Sequence, residues 1–166
     1  RDFCLSRGLG DVYKRQVEEQ AMFNPFSKRD KTNVGFASAA LRVPLGLYIL
    51  NSGVGKFGVG KEGAEGLQGM AATGIPALKD LDAETFAKAL ATGETALGTA
   101  LLAPFVSNRL AGLGLAAFGT GLLTMYFGND AMTEDDGIRP SAEGLSLSKD
   151  SWLVAIGAGL MALPSN

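Results

Sequence analysis

Residues 35–58, GFASAALRVPLGLYILNSGVGKFG, decide how the rest of the chain is read. As an α-helix this stretch is about 36 Å long, enough to cross the roughly 30 Å hydrocarbon core of a bilayer. Yet it carries Arg42 inside the apolar run and Lys56 near its far end, with Pro44, Asn51 and Ser52 between them. Helical spacing puts Arg42, Gly46, Ile49, Gly53 and Lys56 on one stripe, with a cation toward each end and small residues between. An ionised group inside a membrane helix costs about 2.5–3.5 kcal/mol on insertion scales, so it turns toward the protein interior and needs a partner there. The remaining chain has to supply that partner.

Composition narrows the chemistry. A chain of 166 residues fits one domain, and a formal charge of −2 leaves no basic excess for nucleic acid. There is no histidine, and Cys4 is the only cysteine. Thiolate or imidazole zinc clusters, histidine-ligated haem and His-dependent triads are excluded, and no metal site is expected. The 23 glycines follow no collagen period and gather inside apolar blocks, as they do where membrane helices approach closely. The predicted fold is an all-α membrane protein. It is a four-transmembrane-helix antiparallel bundle with a short amphipathic helix between helices 1 and 2.

Residues 1–33 read as an N-terminal tail and 34–164 as the bundle. The first part of the tail, 1–16, resembles a translated sequencing-adapter sequence and is read as non-native, which sets Cys4 aside. Lys28, Arg29 and Lys31 precede the first span and read as its cytoplasmic flank. In residues 59–82, Leu67, Met70 and Ala71 have helical spacing and Gly74-Ile75-Pro76 marks a stop, so a short amphipathic helix is expected at the outer surface. The second apolar block, 83–104, has Glu84 and Lys88 at the interface but Glu94 near its middle. Ser107-Asn108-Arg109 is a tight polar turn that sends the third block, 110–128, back antiparallel.

That third block carries no charge, and it closes on Tyr126 and Phe127, where an aromatic belt would lie. Gly112 with Ala116, and Ala117 with Gly121, are small-xxx-small pairs expected to pack on a neighbouring helix. Gly46, Gly53 and Gly98 are read as further packing positions. The acidic loop 129–149 is expected to be solvated, and its spacing does not fit an EF-hand. The last block, 152–163, spans only if its helix begins near Leu145, with Trp152 as anchor; the end of the chain soon afterward reads as a truncation. Both termini are assigned to the cytoplasm of a multi-pass protein of the cell membrane, although Lys/Arg numbers on the two sides are similar.

Two glycine motifs are refused. Gly53-Val54-Gly55-Lys56-Phe57-Gly58 matches G-x-G-x-x-G but closes an apolar helix instead of opening one after a strand. Gly55 to Lys61 matches G-x-x-x-x-G-K, but Glu62 stands where a magnesium-binding hydroxyl belongs.

Helix arithmetic nominates a partner for the buried arginine. Measured from the ends of their apolar blocks, Arg42 lies about 10 Å deep and Glu94 about 15 Å, within reach of an arginine side chain, so Arg42–Glu94 is the predicted pair. Lys56 is placed at the outer rim, where it snorkels or meets loop carboxylates. The pair serves either to fix helix register or, with Lys56 as a second cation, to form a polar pocket for a quinone-like headgroup or a proton path. Asn51 and Tyr48 are candidates for further hydrogen bonds in that pocket, or are interface and packing residues.

Arg42-x-x-x-Gly46, Ser52-Gly53-x-x-Lys56, Gly74-Ile75-Pro76 and Gly93-Glu94-x-x-x-Gly98-x-x-Leu101 together resemble the DoxX family of small four-span bacterial and archaeal membrane proteins. The resemblance covers roughly residues 34–163 and leaves out the acidic loop. It implies a four-helix bundle in the bacterial inner membrane and a link to redox complexes. Relatives include a subunit of a thiosulfate:quinone oxidoreductase, and others are associated with oxidative-stress and thiol detoxification. The implied function is an integral membrane subunit of a quinone-linked oxidoreductase or redox-detoxification complex without a cofactor of its own, which serves redox chemistry by holding quinone or a partner subunit that has the cofactor. The alternatives are a non-catalytic membrane anchor or assembly subunit and a small-solute or proton carrier using Glu94. No catalytic residue is assigned.

Overall fold

The computed structural model describes residues 31–164, with side chains from Val34 onward; the N-terminal tail and its basic flank at Lys28 and Arg29 lie outside the described residues. Among the described residues the elements are helical. Helix α1 is Lys31–Lys56, α2 is Lys61–Gly74, α3 is Ala83–Leu102, α4 is Asn108–Phe127 and α5 is Ser151–Ala162. A 3-10 turn at Pro76–Asp80 links α2 to α3, and a single helical turn, Leu145–Ser148, precedes α5.

Local chemistry sets these boundaries. Asp82 caps α3 by accepting from the amide of Thr85 at 2.8 Å and from its hydroxyl at 2.9 Å. Ser107 caps α4 in the same way, accepting from the Leu110 amide. Pro76 opens the 3-10 turn, where its missing N–H costs nothing. Between the Leu145 turn and α5, the amides of Asp150, Trp152 and Leu153 each reach back only three residues, so residues 145–162 form a helical stretch that tightens at Lys149 and Asp150. Its total length is about 27 Å at α-helical rise.

The acidic segment before it is ordered by its own hydrogen bonds. Asp136 accepts from the amides of Ile138 and Arg139 and pairs with the Arg139 guanidinium, Gly137 takes a left-handed φ of 67°, and Tyr126 donates to the Ile138 carbonyl at 2.8 Å. Asp130, Glu134 and Asp135 point into solvent.

Packing is governed by small residues. The core cluster joins Ile49, Leu101, Ala111, Leu115 and Leu160, with Leu45, Leu97 and Phe118 against it. Few large side chains are fully buried, and the helices come together through glycine. A Cβ on Gly98 would stand 2.6 Å from the Leu50 amide nitrogen, and one on Gly53 would stand 2.6 Å from that of Thr95. Gly46 lies against Leu101 and Leu102. These contacts run in opposite directions along the two helices, so α1 and α3 are antiparallel with a fixed register. Gly112 and Gly157 meet face to face, a Cβ on either falling within 2.6 Å of the other's carbonyl oxygen, and Gly119 sits on Leu153 and Val154, which makes α4 and α5 antiparallel too.

Two helical segments are long and apolar enough to cross a membrane, Val34–Lys56 and Asn108–Phe127. By contrast α3 carries Glu84, Lys88 and Glu94, and α5 has 12 residues.

Two predictions follow from the packing and the caps. Gly98→Ala pushes a methyl group into the Leu50 backbone and is expected to cost about 1–3 kcal/mol. Gly121→Ala, where a Cβ meets nothing within 4 Å in the interior of α4, should be neutral or stabilising by up to about 1 kcal/mol. Unfolding in detergent micelles reads the difference, and equal effects would contradict the α1–α3 contact. The hydrogen bonds from Thr85 hold the Asp82 carboxyl below the usual carboxylate range. Its stabilisation is therefore complete above the unfolded-state pKa, about 4, and is lost as pH falls through the lower folded value. The protection factor of the Thr85 amide, corrected for the intrinsic pH dependence of exchange, should fall under acid in the native chain and stay flat in Asp82→Asn.

Candidate functional site

The α1–α3 register distributes the buried charges. Gly46 stands level with Leu102, the last residue of α3, so Arg42, one turn earlier on α1, lies beyond the end of α3 and not beside its middle. Its guanidinium caps that end. Nε donates to the Leu101 carbonyl at 2.8 Å, one terminal nitrogen donates to Val106 O and Asn108 Oδ1, and the other donates to Ala100 O and Ala103 O. All five N–H donors of the side chain are thus used, four on backbone carbonyls at and just beyond the end of α3 and one on the Asn108 side chain. Ser38 donates to the same Asn108 oxygen at 2.6 Å, and Arg42 and Asn108 are both buried.

The predicted Arg42–Glu94 pair does not form. Glu94 is bound by Lys56, Nζ to Oε2 at 2.7 Å, and Lys56 also donates to Ser52 Oγ at 2.6 Å. Lys56 is accordingly not a rim residue free to snorkel; its side chain is 19% exposed and that of Glu94 is 5% exposed. The error lay in levelling the ends of the apolar blocks. The glycine contacts, and not the block ends, set the offset between α1 and α3, and they put Lys56 opposite Glu94. Ser52 and Lys56 are one turn apart on α1, so the hydroxyl steadies the ammonium. Gly53, between them, lets the α3 backbone approach closely enough for the carboxylate to reach.

The pair lies on the common wall of two cavities. One, of about 310 Å³, is the more polar: Tyr48, Ser52, Lys149, Asp150 and Trp152 line it besides the pair, together with aliphatic residues of α1 and α5. The other, of about 370 Å³, is almost wholly apolar: Leu67, Met70 and Ala71 of α2 roof it, Phe86 and Leu90 of α3 wall it, and Ala117 and Gly121 of α4 open onto it. Phe118 and Leu122 line both. Volumes above about 300 Å³ with few convergent polar groups are typical of small-molecule sites. By their linings, the first cavity is suited to water and the second is expected to stay dry.

The remaining sequence candidates divide. Tyr48 is largely exposed and borders the polar cavity. Asn51 is exposed and is not among the residues lining either cavity. Gly46, Gly53, Gly98, Gly112 and Ala116 lie at close helix contacts, Ala116 against Gly157. Ala117 and Gly121 do not pack on a neighbouring helix, and a Cβ on Gly121 would meet only open space. Sequence reading missed Ser38 and Asn108, though Ser38 stands one turn before Arg42 in an otherwise apolar run. It also missed Lys149 and Asp150 as neighbours of the pair. Among the described residues no cluster of three or more His, Cys, Asp or Glu side chains is placed to hold a metal ion.

Comparison with protein-family models, with curated proteins and with solved structures gives no match.

Double-mutant cycles separate the two clusters. Lys56→Met and Glu94→Gln should be strongly non-additive, with a coupling of at least about 1 kcal/mol, because each single change strands a buried group. Arg42→Met and Glu94→Gln should add within about 0.5 kcal/mol. Coupling of Glu94 to Arg42 instead would refute the assigned register.

Proposed function

We propose that this chain is a four-span integral membrane subunit of a quinone-linked oxidoreductase, with both termini cytoplasmic and no redox cofactor of its own. The observation that carries the reading is the buried Lys56–Glu94 pair between a polar and an apolar cavity. The resemblance of the Ser52-Gly53-x-x-Lys56 and Gly93-Glu94-x-x-x-Gly98 segments to the DoxX family supports it.

A membrane location is favoured by how little of the two apolar helices the fold covers. In the candidate spans only 22% of α1 and 28% of α4 is buried, and Phe36, Tyr48, Phe105, Leu110 and Trp152 stand more than half exposed. The core helix of a water-soluble domain would be mostly covered, whereas a bilayer accepts this surface. The 145–162 stretch, about 27 Å long, and α3, with Glu94 neutralised internally, would complete four crossings.

The chemistry of the pair suits both forms of a quinone couple. Lys56 has an N–H left to offer a ring carbonyl. Among the described residues Glu94 accepts only from Lys56, through Oε2, which leaves Oε1 to take a proton from a ring hydroxyl. Oxidation of the hydroquinone releases two protons and two electrons. With a hydroquinone bound, Glu94 Oε1 would take up its protons one at a time beside the first cavity, and the electrons would have to leave through a cofactor carried by a partner subunit.

Photolabelling with an azido-quinone in lipid nanodiscs tests the reading. Label should map to α1, α3 and α4, be displaced by excess unmodified quinone and fall at least about tenfold in Glu94→Gln and Lys56→Met. Labelling at the level of empty discs would reject quinone binding.

A further inference from the structure

We infer that the cavity beneath α2 holds the hydrocarbon chain of the ligand whose polar head meets Lys56 and Glu94. The inference rests on the reading of that pair as the ligand's polar contact, and adds that the ligand is a single-chain amphiphile entering from the dry side. Among the described residues the pair is the only charged part of the lining; the rest is Leu, Ile, Met, Phe, Ala, Gly and Thr from α2, α3, α4 and connecting segments. A cavity of about 370 Å³ with such walls gains nothing from water, which would find no hydrogen-bond partners away from the pair.

The backbone keeps this space clear. Ala117 and Gly121 have the spacing of a close helix contact, yet Gly121 faces open space and both border the cavity. Their small size maintains a chamber. The roof, α2, is joined to α1 through Gly58-Val59-Gly60, and its last residue, Gly74, packs directly on the α4 backbone at Thr124 and Met125. Lipid tails are as apolar as these walls, so hydrophobicity alone does not draw a chain in from the bilayer. Selectivity comes from fixed-shape contact with the chain and from its tether to the polar head.

The test uses the full chain in nanodiscs and three probes: a benzoquinone ring without a chain, the same ring with a decyl chain, and decanol. Each dissociation constant is compared between the native protein and Gly121→Phe, so partition into the bilayer cancels. The phenyl group fills the cavity from a position with room for it, and Ala117→Phe fills it from a second. Both variants should weaken the decyl quinone about tenfold and leave the bare ring within about twofold. Equal effects on the two quinones, or no effect on either, would overturn the inference while leaving the quinone reading in place. If neither quinone binds the native protein but decanol does, and Gly121→Phe abolishes it, the chain site stands and the quinone reading falls. Binding of none of the three above empty discs overturns both.

Discussion

The close approach of α1 and α3 is the constraint on which the other features depend. Gly53 and Gly98 each face backbone of the opposite helix at a distance that excludes a methyl group, so the two helices can slide past each other only by breaking those contacts. Fixing that register fixes the fate of three charges, Arg42 and Glu94 buried and Lys56 half-buried. Lys56 meets Glu94, and Arg42 overshoots the end of α3 and meets its carbonyls.

The two polar clusters are built from similar parts and differ in what they leave unused. Arg42 spends every donor on the protein, on carbonyls from Ala100 to Val106 and on Asn108, so it ties the α3–α4 turn to α1 and has nothing left for a ligand. The Lys56–Glu94 pair leaves one carboxylate oxygen and one ammonium hydrogen without a protein partner among the described residues, and both residues line the cavities. A buried ion pair adds little net stability over a well-packed apolar replacement, so stability alone is a weak reason for its presence. Its open side is the basis of the proposed second reason, a contact for a ligand.

Much of this was legible in the sequence, and the failures have physical causes. The helices, their polar turns and the Gly112–Ala116 contact follow from apolar periodicity and from residues that can only cap or terminate. Spacing says which residues share a face but not what stands opposite, so Ala117 and Gly121 read as a packing pair although they border a cavity. The partner of Arg42 was hidden because backbone carbonyls at a helix end leave no trace in side-chain identity. The partner of Glu94 was misread because the depth of a residue in its own helix does not give the offset between two helices. The Gly53 and Gly98 contacts do.

The polar cavity was hidden for a related reason. Lys149 and Asp150 lie far from Lys56 in sequence and come to it only because α5 folds back along α4 through Gly112, Gly119 and Gly157. The central claim, that the α1–α3 register pairs Lys56 with Glu94, is tested most directly by dipolar-recoupling solid-state NMR on bilayer-reconstituted protein with isotope-labelled lysine, arginine and glutamate. A lysine Nζ should lie within about 4 Å of a glutamate carboxylate in a signal that Glu94→Gln removes, with no arginine coupled to that carboxylate. Coupling of the Glu94 carboxylate to an arginine guanidinium, or its independence of any lysine, would contradict the account.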